Sequence, residues 1–234
     1  SKDQQKAMIK AELVAQKIHQ AFTNSYHIQG YQLSISFSIG IALIDHKEET
    51  TEDLLKHADI AMYQAKNAGR NTTRFYESYM EQKAKRYLQI ESELRHAIAH
   101  DELEIYYQPI ISLQSSRIIG AEALLRWHNK TLGEITPNEF IPIAEESGLI
   151  LSLGTWVLDH ATKQFQIWRD TFHETIPLKK IAINVSVNQF NNPNFLKQVR
   201  TTLSKNQIDP NCLELELTES IIIKNIKRIT QKME

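Results

Sequence analysis

Several residue types are scarce in this sequence, and each shortage excludes a class of protein. Among 234 residues there is a single cysteine, Cys212, so no internal disulfide can form and a disulfide-rich secreted domain is excluded. Only 7 glycines and 6 prolines are present, which excludes collagen-like and low-complexity chains. Neither sign of charge dominates, because 27 basic and 28 acidic side chains give a net charge of −1. This balance argues against a protein that binds nucleic acid or anionic membranes through bulk charge.

Long apolar runs are also missing from the chain. No stretch approaches the roughly 18 consecutive apolar residues of a membrane helix, and the N-terminal SKDQQKAMIK does not resemble a secretory signal. Hydrophobic residues make up 41% and charged residues 24%, which is typical of a globular protein with a core. We therefore expect a cytoplasmic protein whose residues 1–234 contact neither a nucleic acid polymer nor a membrane.

A change in composition divides the chain, since all six prolines and all three tryptophans lie after residue 108. Before this point an amphipathic helix is followed by an alternating segment, Tyr31–Leu43, which predicts one long strand or two strands joined by a turn. A second helix is predicted from Thr51, with Gly69 at its C′ position, and a short strand follows at Thr72–Tyr76. Residues 78–100 contain neither proline nor glycine and predict a helical connector.

The second part of the chain alternates between apolar strand patterns and helices. Strands are predicted at Leu103–Ile110, Arg117–Trp127, Lys180–Val187 and Leu213–Leu217, and helices near 137–147, 153–170 and 193–206. Thr136 and Glu139 have the spacing of a capping box, with Pro137 at the first helical position. Strands that alternate with helices indicate parallel pairing, in either a barrel or an open doubly wound sheet.

Polar side chains interrupt three of these apolar strands, and a charge inside a buried strand needs a reason. Glu122 and Arg126 are separated by an even number of residues and therefore lie on one face of their strand. Asn184 interrupts the next parallel strand, and Glu216 follows Glu214 by two residues in the last one. We predict that all three strands end in an oxygen-bearing side chain. In a parallel barrel the C-terminal strand ends meet at one mouth.

The donor set formed by Glu122, Asn184 and Glu216 favours a hard divalent cation, Mg²⁺ or Mn²⁺, over Zn²⁺. Arg126 has the planar guanidinium that binds phosphate with two parallel hydrogen bonds. The pattern alone leaves a second interpretation open with about equal weight, in which these residues are solvated polar groups or a structural ion pair.

Several separated motifs in this region resemble the EAL family of cyclic di-GMP phosphodiesterases, from about Leu94 to Ile223. They are YYQPI, GAEALLRW, ITPNEFIPIAEESGLI, INVSVNQF and LELELTES, in that order along the chain. The resemblance implies that Glu122, Asn184 and Glu216 bind the metal and that Glu122 and Glu219 serve catalysis, with Glu219 positioning a loop at the mouth of the site. It further implies that Gln108, Leu124, Arg126 and Asn184 contact the dinucleotide.

The first part of the chain resembles a second family through SIGIAL and ADIAMYQAKNAGRN, which are similar to the C-terminal half of a GGDEF diguanylate cyclase domain. That resemblance implies that Lys66 and Arg70 belong to a vestigial phosphate-binding site. The alternative is that both residues are the ordinary basic end of a helix, where cations complement the helix dipole.

Together these resemblances predict an α/β protein composed of three segments. They are the C-terminal part of a GGDEF-like sheet domain (1–77), a helical connector (78–100) and the N-terminal part of an EAL-type (β/α)₈ barrel (101–234). The resemblance places the GGDEF turn before Ser1 and the paired aspartates of the DDFGTG motif after Glu234, so we expect residues 1–234 alone neither to synthesise nor to hydrolyse cyclic di-GMP.

The expected activity of the longer protein is metal-dependent hydrolysis of cyclic di-GMP to the linear dinucleotide in bacterial signalling, with homodimer formation through the EAL domain. Two alternatives stay open: a receptor that binds cyclic di-GMP without hydrolysing it, and an interaction domain with vestigial sites.

Overall fold

The computed structural model describes residues 2–44, 50–100, 102–172, 175 and 178–217, without the side chains of residues 2 and 3. The chain divides into two compact units, residues 1–88 and residues 89–234. None of the helices in the described ranges combines the length and apolar character that a membrane span requires.

The part of the first unit that the structure describes contains two small two-stranded sheets and three helices. Its elements are α1 (Lys2–Ala21), β1 (Tyr26–Ile28), β2 (Tyr31–Leu33), β3 (Ile39–Ile41), α2 (Thr51–Asn67), β4 (Thr73–Phe75) and the first half of α3 (Tyr79–Ala99). Strands β1 and β2 form an antiparallel hairpin, whereas β3 and β4 are parallel and are connected through α2. The alternating segment at Tyr31–Leu43 therefore forms two separate strands in two different sheets.

Helix α2 begins at Thr51, as predicted, and a capping box that was not predicted precedes it. Thr50 is the N-cap, its hydroxyl accepts from the Asp53 amide at 3.1 Å, and the Asp53 carboxylate accepts from the Thr50 amide. At the other end Gly69 has φ +100°, which confirms the predicted C′ glycine. On the inner side of α2, a Cβ at Gly40 would lie 2.0 Å from the Ala58 carbonyl oxygen, so only glycine lets β3 approach the helix this closely.

In its described residues the second unit contains a five-stranded mixed sheet with helices on one face. After the end of α3 its elements are β5 (Leu103–Ile111), β6 (Ile118–Asn129), β7 (Gly133–Ile135), α4 (Pro137–Ser147), α5 (Ile150–Phe172), β8 (Lys180–Val185), α6 (Val187–Asn191), α7 (Phe195–Lys205), a short 3₁₀ helix (Pro210–Cys212) and β9 (Leu213–Leu217). The strand order is β5-β6-β8-β9, and β7 pairs with the far end of β6.

Parallel pairing holds for β6 with β8 and for β8 with β9, as predicted, but not for the first pair. Strands β5 and β6 are antiparallel, because a short turn rather than a helix connects them. In that turn the Ser112 amide donates to the Arg117 carbonyl at 2.9 Å, and Ser116 has φ +52°. The prediction of an all-parallel arrangement is therefore wrong for β5.

The core lies between the sheet and the helices α5 and α7. Alternate residues of the strands project into it, so each strand has one apolar face and one face free for polar side chains. Its buried members include Ala121, Ala123, Ile181, Ile183 and Val185 from the sheet and Val157, Leu158, Ala161, Phe165, Val199 and Leu203 from the helices. Phe165 is fully buried there, which stabilises the unit by roughly 1.5–3 kcal/mol relative to an exposed side chain.

The capping box predicted at the start of α4 is not formed. Helix α4 begins at Pro137 with Thr136 as N-cap, as the pattern indicated, but the Thr136 side chain makes no capping hydrogen bond. A capping box instead begins α6, where Ser186 and Gln189 each accept from the other's backbone amide. Ser186 and Gln189 are three positions apart, the same spacing as Thr136 and Glu139.

Candidate functional site

Polar residues gather on the face of the sheet opposite the helices. The Asn184 Nδ2 atom of β8 donates to Glu122 Oε1 of β6 at 2.8 Å. Asn184 is also the direct register partner of Glu216 on β9. The structure therefore brings together the three residues that the sequence analysis proposed as metal ligands.

The three residues do not all lie at strand ends, contrary to the prediction. Asn184 and Glu216 are each the last residue but one of their strands, but Glu122 is the fifth residue of the twelve-residue strand β6. The pairing of β6 with β8 covers only residues 120–123, so Glu122 lies near the end of the parallel ladder rather than the end of the strand. Beyond it, β6 continues in pairing with β5 and β7.

The electrostatics around Glu216 indicate that the carboxylates crowd one another. Partial burial raises the pKa of Glu216, and repulsion from Glu122 and from Glu214 raises it further, while Lys180 acts in the opposite direction. Carboxylates that repel one another in this way gain stability from a bound cation, and carboxylate and amide oxygens suit a hard divalent ion. The donor set therefore fits a divalent cation.

Across the described ranges, no three His, Cys, Asp or Glu side chains group as a metal site. The candidate set consists instead of two carboxylates and one amide.

The residues expected to contact a ligand surround this cluster. Gln108 is exposed and lies directly opposite Glu122 in the antiparallel pairing of β5 with β6. The Arg126 guanidinium donates to the Leu125 carbonyl at 2.8 Å and lies 5.6 Å from the centroid of the Tyr106 ring. Tyr106 was missed by the sequence analysis, although it is 58% exposed next to Arg126.

A cavity of about 200 Å³ opens beside the cluster, between β6, α4 and α5. Leu124 and Arg126 line one side of it, Asn184 and Gln189 line another, and apolar side chains of the two helices complete its walls. Three of the predicted site residues, Leu124, Arg126 and Asn184, therefore line a single opening. Glu219 lies outside the described residues.

The segment after Asn184 is held by the capping box of α6. The Gln189 amide donates to Ser186 Oγ at 3.2 Å, and the Ser186 amide donates to Gln189 Oε1 at 3.0 Å. Gln189 is 8% exposed and lies against Gly154 of α5, where a Cβ would be only 1.6 Å from Gln189 Nε2. The Ser-x-x-Gln spacing was a sequence signal for this capping box. No sequence signal indicated the contact between Gln189 and Gly154.

A second polar pair lies on the same face and was also missed. Lys180 Nζ of β8 lies 2.5 Å from Glu214 Oε2 of β9. The even spacing between Glu214 and Glu216 indicated a shared face, but the partner of Glu214 depends on the register of two strands. It therefore could not be derived from the sequence.

The two basic residues of the first unit occupy the end of α2. Lys66 lies in the last turn of that helix, and Arg70 follows it with φ +62°. The Arg70 amide donates to the Ala65 and Lys66 carbonyls at 3.2 Å each, which closes the helix end. This geometry is that of a basic helix C-terminus, and the phosphate-binding role stays a prediction.

Comparison with known proteins relates both units to signalling domains. The EAL domain family model matches residues 91–234, and the model described as "Diguanylate cyclase, GGDEF domain" matches residues 1–72. The sequence is 39% identical over 215 residues to the bifunctional diguanylate cyclase/cyclic di-GMP phosphodiesterase MucR of Pseudomonas aeruginosa, covering 92% of this chain and 31% of MucR. It is 34% identical over 214 residues to the cyclic di-GMP phosphodiesterase PdeR of Escherichia coli, covering 92% of this chain and 32% of PdeR.

A solved structure gives the same relationship. The MucR phosphodiesterase in complex with cyclic di-GMP matches with a TM-score of 0.56 and 38% identity, over 60% of this chain and 56% of that one. This likeness confirms the predicted α/β fold of EAL type. The chain spans about a third of the length of MucR and of PdeR.

Proposed function

Because the chain belongs to the EAL domain family, we propose that its second unit supplies metal ligands and ligand contacts to a cyclic di-GMP phosphodiesterase. One observation carries this proposal. The Asn184–Glu122 hydrogen bond and the pairing of Asn184 with Glu216 bring two carboxylates and an amide together on the exposed face of the sheet. The names of MucR, NbdA and PdeR, each a phosphodiesterase for cyclic di-GMP, support the same activity.

In this proposal Glu122, Asn184 and Glu216 hold a divalent cation, Mg²⁺ or Mn²⁺. When bound, such a cation lowers the pKa of a coordinated water and stabilises charge on the phosphodiester during in-line attack. Asn184 orients Glu122 through the hydrogen bond from its Nδ2 atom, which leaves its amide oxygen available as a ligand. Glu219 completes the proposed catalytic set.

The ligand contacts in the proposal come from the residues around the cavity. Arg126 binds a phosphate through its guanidinium, Leu124 packs against the nucleotide, and Gln108 hydrogen-bonds from the neighbouring strand. Homodimer formation, a cytoplasmic location and the boundaries at residues 77 and 100 stay predictions of the same proposal.

The test measures cation binding and ligand binding by residues 1–234. The wild type is expected to bind Mn²⁺, and to bind cyclic di-GMP more tightly when Mn²⁺ or Ca²⁺ is present. Glu122→Gln is expected to weaken Mn²⁺ binding at least about ten-fold, because the amide retains the acceptor for Asn184 but loses the charge that the cation needs.

Glu134→Gln is the matched control, because Glu134 is exposed on β7 and pairs with His128 away from the cluster. This variant is expected to bind Mn²⁺ as the wild type does. Equal Mn²⁺ affinity of Glu122→Gln and the wild type would remove Glu122 from the metal site. Cyclic di-GMP binding without any dependence on a divalent cation would favour the receptor alternative, and no binding at all would favour the interaction domain.

A further inference from the structure

The Lys180–Glu214 pair lies on the same face of the sheet as the candidate metal ligands and precedes them along β8 and β9. Glu214 pairs with Ala182, and Glu216, two residues further along β9, pairs with Asn184. Lys180 Nζ contacts the Glu214 carboxylate at 2.5 Å. A third carboxylate is thus close to the cluster, and it is already bound by an ammonium group of this chain.

The packing of β6 makes room for the lysine. Gly120 is the register partner of Lys180, and a Cβ at Gly120 would lie 2.3 Å from the Lys180 carbonyl oxygen and 2.8 Å from Lys180 Cγ. Any larger residue at position 120 would displace both the strand and the aliphatic part of the lysine. The glycine therefore lets Lys180 extend along the polar face toward β9.

Both members of the pair act on Glu216. Glu214 raises the pKa of the Glu216 carboxyl by repulsion, and Lys180 lowers it by attraction. The two groups therefore have opposite electrostatic effects on a candidate metal ligand.

Building on the proposed function, we propose that Lys180 is a positioning residue that keeps Glu214 out of the metal-ligand set. With Lys180 bound to it, Glu214 adds neither a ligand nor a net charge to the site, so that the cation is held by Glu122, Asn184 and Glu216. The pair sets the divalent affinity of the site without contacting the ion.

The test is a double-mutant cycle on residues 1–234 with Mn²⁺ alone as the probe, titrated by loss of the free Mn²⁺ paramagnetic resonance signal. Lys180→Met keeps the apolar stem beside Gly120 and frees the Glu214 carboxylate, so Mn²⁺ binding is expected to tighten about ten-fold. Glu214→Gln frees the ammonium, so binding is expected to weaken about ten-fold. The double variant is expected to return to within about three-fold of the wild type, because neither charge is left uncompensated.

A purely structural role for the pair would make both single variants bind alike, either weaker or unchanged, and this result would overturn the inference. Lys205→Met is the control for a lost positive charge, because Lys205 pairs with Asp159 on the helix side of the sheet. It is expected to leave Mn²⁺ binding unchanged. Circular dichroism checks the fold of each variant, and Lys180→Gln replaces Lys180→Met if the latter does not fold.

The two proposals fail in different ways. Absence of Mn²⁺ binding by the wild type would refute the cation site and this inference together. Binding by the wild type that Glu122→Gln abolishes, with Lys180→Met and Glu214→Gln shifting the affinity in the same direction, would refute the inference alone.

Discussion

Replacing Gly154 with alanine is expected to destabilise the second unit, although alanine is the better helix former. The added Cβ would lie 1.6 Å from Gln189 Nε2 and 2.7 Å from Gln189 Cδ, so the glutamine side chain must move. Gln189 is 8% exposed and has little room to do so. Moving it also breaks its hydrogen bond with the Ser186 amide, which is half of the capping box of α6.

The magnitude follows from three contributions. Overpacking of a dense site costs about 1–3 kcal/mol, and loss of a helix cap costs about 0.5–2 kcal/mol. Replacing glycine with alanine inside helix α5 recovers about 1 kcal/mol. We therefore expect Gly154→Ala to lower the free energy of unfolding by about 2 kcal/mol.

The same reasoning predicts strong coupling between positions 154 and 189. Gln189→Ala alone removes the glutamine half of the capping box, which costs about 1 kcal/mol, but it also vacates the space that the Cβ added by Gly154→Ala needs. The double variant is therefore expected to be more stable than the sum of the single variants implies, by about 1–2 kcal/mol.

Urea unfolding followed by tryptophan fluorescence measures this coupling, because Trp127, Trp156 and Trp168 all lie in the second unit. Additive effects within about 0.5 kcal/mol, or a Gly154→Ala variant more stable than the wild type, would show that the glycine is not needed for the glutamine.

Three further predictions concern the ligand, the acid stability and the activity of the chain. Arg126→Ala is expected to weaken cyclic di-GMP binding about ten- to a hundred-fold, and Arg126→Lys to recover part of the loss because it keeps the charge but not the planar fork; calorimetry in Ca²⁺ measures both. Burial alone would raise the pKa of Asp159, but hydrogen bonds from Lys205 and Asn206 outweigh it and lower the pKa. The stability that the ionised Asp159 carboxylate contributes is therefore fully present above its ordinary pKa and is lost as the pH falls through its lowered pKa in the folded state. In urea unfolding, the difference in stability between the wild type and Asp159→Asn is expected to shrink below about pH 4. Chromatography of the products is expected to show no hydrolysis of cyclic di-GMP by residues 1–234 with Mg²⁺ or Mn²⁺, and sustained turnover by the pure chain would contradict this expectation.

The sequence predicted most of the second unit because its elements are strongly patterned. Strands β8 and β9 and helices α4, α5 and α7 lie within a few residues of their predicted bounds, since apolar residues repeat with the period of each element. The antiparallel pair was missed because strands that alternate with helices were all expected to be parallel. Strands β5 and β6 have no helix between them. A short turn between two strands favours a hairpin, and this local signal was present in the sequence.

The composition of the candidate site was predictable, but its internal contacts were not. Polar residues inside apolar strands marked Glu122, Asn184 and Glu216 individually. The bond from Asn184 to Glu122 and the pairing of Lys180 with Glu214 join residues that are 62 and 34 positions apart, and each depends on the register of neighbouring strands. A shift of one residue in the strand register would move these side chains to the opposite face of the sheet. The two contacts are therefore known only from the folded sheet.

The position of Glu122 within β6 explains how one strand can serve both the cation and the ligand. If Glu122 ended its strand, as Asn184 and Glu216 nearly do, nothing of β6 would extend beyond the metal ligands. Strand β6 continues to Asn129, where it pairs with β5 and, over its last three residues, with β7. Its next two positions on the face of Glu122 therefore belong to the same paired strand. Those positions are Leu124 and Arg126, which line the cavity. The extension of β6 beyond the parallel ladder therefore places the proposed phosphate contact and the proposed metal ligand on one rigid element, four residues apart.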